Sequence, residues 1–132
     1  MKRRTMVFIV SAAIIVALIV GSILIFTPRR IVNKSDDIDG LKVTYHNTLI
    51  PVNQNDIIDI LSKYNAVATI RNVAPYKTAK VDFEIDLVAN GKPVHIVLGE
   101  FNIWYESGEG YENDILDAGR LKEELKNVLD LK

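Results

Sequence analysis

The run from Thr5 to Phe26, TMVFIVSAAIIVALIVGSILIF, carries no charged residue. As a helix rising about 1.5 Å per residue it reaches roughly 30 Å, the thickness of a bilayer's hydrocarbon core. A helix that covers a soluble core is apolar along one stripe. This one is apolar all round, relieved only by Ser11, Gly21 and Ser22. The sequence therefore predicts a membrane span, with residues 5–26 in contact with the lipid bilayer, and the rest of the chain must be read as what that span carries.

Other uses of an N-terminal apolar run fit less well. A cleaved signal peptide is shorter and ends at small residues, whereas this run closes on Ile23-Leu24-Ile25-Phe26-Thr27-Pro28. A lipoprotein signal needs a cysteine, and the chain has none. A pilin-like leader carries a Gly-Phe processing site and an early helical Glu, and neither is present. Lys2, Arg3 and Arg4 precede the span, while Arg29, Arg30 and Lys34 follow it. The positive-inside rule counts such residues near the span ends. The α-amino group and closer spacing tip the balance towards a cytoplasmic N-terminus, with the following domain outside. The same basic side chains also suit anchoring at lipid headgroups.

Three parts follow from this: a basic head and span over 1–26, a polar connector over 27–40, and a domain over 41–132. Ninety-two residues from Leu41 onward suffice for one domain. The whole chain sums to −1, but from Ser35 onward ten Lys and Arg face all seventeen Asp and Glu, a balance of −7. An acidic domain is a poor match for nucleic-acid phosphates, so no nucleic-acid partner is expected. Without cysteine there is neither a disulfide framework nor thiolate chemistry.

Along the domain, Leu41 to Tyr45 alternates as a half-buried strand, and Leu49 to Val52 reads as a short return strand. Asn53 is placed to cap a helix from Gln54 to about Tyr64, with Ile57, Ile58, Ile60 and Leu61 on one face. Ala66 to Val73 is β-rich, and Ala74 to Thr78 reads as a loop. Val81, Phe83, Ile85 and Leu87 then alternate with Asp82, Glu84 and Asp86. Asn90-Gly91 is the preferred pair for a two-residue type I′ turn. That turn fixes the register, pairing Leu87 with Val94, Ile85 with Ile96 and Phe83 with Leu98. Gly99 marks a bulge or bend, Phe101, Ile103 and Tyr105 resume alternation, and Ser107 to Gly110 turns. Tyr111 to Leu116 forms a short strand, and Asp117 caps a last helix to about Leu131. Helices on one face of a mainly antiparallel sheet give an α+β two-layer fold behind an N-terminal transmembrane helix. In order and length this layout is similar to small extracytoplasmic α+β domains hung from single membrane helices, of the general PepSY-like kind. That similarity is architectural and implies no residue-level role.

Candidate chemistry is sparse. Asp82, Glu84 and Asp86 form an acidic stripe, yet a flat strand face cannot wrap a cation that needs six to eight oxygens. Asp86 and His95 face each other across the hairpin, but no serine stands in a nucleophile-elbow turn. Only two histidines are present, His46 and His95, which is too few for a histidine-rich metal site. No cofactor, metal or catalytic group is therefore expected. Trp104, the single tryptophan, alternates against Ile103 and Tyr105; it is exposed if they are buried, and a one-residue bulge at Gly99 reverses that. The candidate partner-binding face is Asp82, Glu84, Asp86, His95 and Trp104, which suits a protein partner with a basic surface. The expected function is a non-enzymatic, membrane-tethered interaction module. The alternative is an accessory or immunity-type subunit acting through its span, where Ala12, Ala13, Ala17, Gly21 and Ser22 favour helix association.

Overall fold

The alternations and apolar stripes fold in a computed structural model that describes residues 2–69, 80–106 and 112–131. Helix α1 runs over Arg3–Phe26 and is long and apolar enough to cross a membrane. None of its described side chains is buried against the rest of the chain. Ten further elements follow: β1 (Arg29–Arg30), β2 (Ile38–Tyr45), β3 (Thr48–Ile50), α2 (Gln54–Leu61), β4 (Asn65–Ala68), β5 (Val81–Ala89), β6 (Lys92–Gly99), β7 (Asn102–Glu106), β8 (Asn113–Ile115) and α3 (Ala118–Val128). The strands make one eight-stranded sheet in the order β1-β4-β8-β7-β6-β5-β2-β3. Every pairing in it is antiparallel. With two helices packed on it, the domain is mixed α+β.

The β5–β6 hairpin has the register that its turn dictates. Leu87 pairs with Val94, Ile85 with Ile96 and Phe83 with Leu98. Asn90 (φ 51°) and Gly91 (φ 80°) both occupy the left-handed region that a type I′ turn requires. A second two-residue turn of this kind, His46 (φ 44°) and Asn47 (φ 64°), joins β2 to β3. The bulge expected near Gly99 lies on the facing strand. Val81 pairs with Gly99 and Phe83 with Leu98, leaving Asp82 as the extra residue. A Cβ on Gly99 would stand 2.2 Å from the Lys80 carbonyl oxygen, so the crossing strand needs a glycine there.

One sheet face carries the core. Val43, Phe83, Ile85, Leu87, Val94, Ile96 and Leu98 pack against Ile57, Leu61, Leu121 and Leu125 from the helices. In α2 the Asn53 side chain accepts from the Asn55 N–H at 3.0 Å, as its capping position predicts. This helix stops at Leu61 rather than near Tyr64, because the chain tightens. The N–H groups of Lys63 and Tyr64 bond the carbonyls of Ile60 and Leu61, three residues back. Asp117 precedes α3 but makes no side-chain cap: it sits at φ 56°, outside the extended region from which a cap reaches the helical N–H groups. At the other end Asp130 (φ 51°) closes α3. Its N–H bonds the Asn127 carbonyl, and the Leu131 N–H bonds that of Lys126, a Schellman closure with Asp where Gly is usual.

The largest departure from the sequence reading is in residues 27–40. The expected connector is part of the fold. Arg29 pairs with Ala66 and Arg30 with Asn65 at the sheet edge, and Ile31 and Val32 are 4% and 1% exposed within the core. Two adjacent apolar residues among polar ones show no periodicity, so nothing local marked them as core. The β-rich stretch to Val73, the loop Ala74–Thr78, the turn Ser107–Gly110 and Tyr111 lie in whole or part outside the described residues.

Candidate functional site

The sheet face turned away from α2 and α3 is built by the even positions of β2 and β5 and the odd positions of β6 and β7. Cross-strand pairing sets Lys42, Asp86, His95 and Tyr105 in one continuous row. The adjacent row is Thr44, Glu84, Val97, Ile103 and Asp114. Glu84 is exposed, Asp86, His95 and Tyr105 are half-buried, and Ile103 is buried on this same face. Asp86 Oδ1 meets His95 Nδ1 directly, and the His95 and Tyr105 rings stack with centroids 5.0 Å apart. At the bulge, Asp82 Oδ1 lies 3.2 Å from His46 Nε2. Both histidines of the chain thus sit beside carboxylates of β5. The Tyr105 hydroxyl is held above its usual range by burial, then by the negative charges of Asp86 and Glu84.

Four of the five sequence candidates, Asp82, Glu84, Asp86 and His95, come from one strand pair; Glu84, Asp86 and His95 share the far face, and Asp82 stands at the bulge with His46. Trp104 does not join them. It pairs with Ile96, points to the helix side and is 5% exposed. The reason is the connection between β6 and β7. Leu98 pairs with Asn102 across a three-residue loop, so residues of equal parity face each other and Ile103 joins Val97 on the far side. Reading Phe101, Ile103 and Tyr105 as a continuation of the core set inverts the strand. The aromatic on the acidic face is Tyr105, at one end of the row, and the cation at the other end, beside Asp86, is Lys42, both missed by sequence reasoning. An even-parity register through Gly99-Glu100-Phe101 would have found Tyr105. Among the described residues, no group of three or more His, Cys, Asp or Glu is placed to hold a metal ion.

A second polar cluster lies between α2 and α3, where Glu124 takes Lys63 at 3.6 Å and Arg120 at 3.5 Å. These residues line a cleft of about 170 Å³ together with Tyr64. Burial, and then the Glu124 charge, push the Tyr64 hydroxyl up to about 12. An unfolded chain ionises this group near pH 10, so stability present below that pH is lost as pH rises towards 12. Tyr64→Phe should flatten the alkaline limb of an unfolding-versus-pH curve between about pH 10 and 12; an unchanged slope would place the titration elsewhere.

Comparison with family models, with curated proteins and with solved structures gives no match.

Proposed function

We propose that the chain is a non-enzymatic, membrane-tethered interaction module. In this reading α1 spans the cytoplasmic membrane and the domain stands outside, offering the Glu84–Asp86–His95–Tyr105 surface to a protein with a basic face. The observation that carries it is the uninterrupted cross-strand row on the side opposite the helices, with exposed Glu84 beside it. Carboxylates at such a surface steer a basic partner and fix its register, and a half-buried tyrosine supplies contact area. The negative balance of the chain beyond Ser35 extends the same field.

Two measurements test this. Cross-linking and capture of the full chain from membranes should yield a partner whose recovery falls as salt rises, because exposed charges are screened within about 10 Å at 0.1 M salt. Glu84→Lys, set among like-charged partner groups, should weaken capture about tenfold or more. Recovery unaffected by both changes would remove the acidic face from the proposal. Replacing α1 with an unrelated span should leave capture intact; loss on that exchange would favour the subunit that works through its span. For orientation, protease added to cells stripped of their wall should digest the domain from Ser35 onward. Digestion only after lysis would reverse the topology.

A further inference from the structure

Directly after the span, a groove of about 520 Å³ opens between the segment following β1 and the ends of β6 and β7. Its wall includes Arg29, Lys92, Trp104 and Glu106, with Asp36 and Asn90 at the opposite side. Pairing places Arg29 on the face of Ala66, Glu106 on that of Val94 and Trp104 on that of Ile96. The guanidinium of Arg29 stands 5.5 Å from the centroid of the Trp104 ring and donates to Asn113 Oδ1 at 3.3 Å. That leaves most of its five N–H donors for something else. Arg30, which also lines the groove, donates to the Ser62 carbonyl at 2.7 Å. The Trp104 Nε1–H is buried with no acceptor. The far wall is rigid: Asn90 donates to Asp36 Oδ1 at 3.1 Å and accepts from the Asp37 N–H at 2.9 Å.

We infer that this groove binds the phosphodiester headgroup of an anionic phospholipid in the adjoining leaflet. The inference rests on reading α1 as a membrane span. Only Thr27 and Pro28 separate the last helical residue from Arg29, so Arg29 lies within about 11 Å of the helix end even if the chain is fully extended. The headgroup layer adds roughly 5–8 Å to each side of the hydrocarbon core, so the groove meets lipid phosphate rather than acyl chain. Arg29 and Lys92 supply positive charge at one end of a domain that is otherwise acidic, and guanidinium matches phosphate oxygens bidentately. Glu106 accepts from a hydroxyl beyond the phosphate, which favours a glycerol headgroup.

Trp104 is the single tryptophan, so its emission reports on the groove. The full chain is reconstituted into phosphatidylcholine vesicles, and phosphatidylglycerol is added in steps. A saturable change in Trp104 emission is expected, with the midpoint about tenfold higher in Arg29→Gln and in Lys92→Gln. Lys92→Gln changes an exposed residue next to a turn and keeps the fold if Arg29→Gln does not. The same midpoint in Lys92→Gln as in the parent, or no emission change, overturns the groove. An equal response to free glycerol phosphate overturns the lipid source in favour of a soluble phosphate ester. A chain that fails to float with pure phosphatidylcholine vesicles overturns the span and the groove together, whereas one that floats without an emission change overturns the groove alone.

Discussion

Trp104→Ala should strongly destabilise the domain rather than only weaken its binding. The side chain is 5% exposed and belongs to the core cluster with Ile96 and Val94, so truncation removes a large buried aromatic and leaves a cavity. Such changes cost about 3–5 kcal/mol, against a total of roughly 5–15 kcal/mol for a domain. Arg29 adds to the effect, because its guanidinium loses the ring beneath it. Phe83→Ala, at 0% exposed, should fall in the same range. Glu84→Ala, the exposed neighbour of Phe83, should change stability by less than about 0.5 kcal/mol. Thermal melting followed by circular dichroism separates the three. A Trp104→Ala protein as stable as the Glu84→Ala protein would mean that β7 presents its other face to the helices.

The second large effect concerns where a span-free fragment begins. A fragment of residues 27–132 should be soluble and melt cooperatively, since it keeps β1 and the buried pair Ile31 and Val32. A fragment of residues 40–132 removes both side chains from the core and exposes the β4 edge that β1 covers. Each lost aliphatic side chain is worth about 1.5–3 kcal/mol of burial, so the shorter fragment should be about 3–6 kcal/mol less stable. It also gains an unpaired strand edge, which favours association. Denaturant melts of the two fragments decide the matter; equal midpoints would show that residues 27–39 only decorate the domain.

The parts of this fold that were legible in the sequence are those in which one local rule overdetermines the answer. Asn90-Gly91 between two alternating runs fixes turn type, register and buried face together, and the pairing from Phe83 to Leu98 follows residue by residue. The stripe of α2, with Ile57, Ile58, Ile60 and Leu61 buried, was equally plain, as was the apolar run of α1. Two features were hidden for different reasons. The face of Trp104 depends on the parity of one three-residue loop, and a shift of one residue exchanges every side chain of β7 between core and surface. Ile31-Val32 is a dipeptide with no period to read, buried because β1 finds β4 more than thirty residues later in the chain. Of the candidate site, the carboxylates and His95 were readable because they ride on the overdetermined hairpin. Tyr105 was not, because it lies beyond the loop that sets its face.

Because the segment after α1 is built into the sheet, the domain is not a bead on a string. β1 grips the sheet edge through β4, while Asp36 and Asp37 are bonded to the Asn90 turn near the middle of the same sheet. Two points of attachment hold residues 29–37 against the sheet in a way that a single contact cannot. A pull along the chain from the α1 side meets the β1–β4 ladder before it reaches the Asn90 bonds. In mechanical terms the slack between helix and sheet is the two residues Thr27 and Pro28 rather than the whole of residues 27–40.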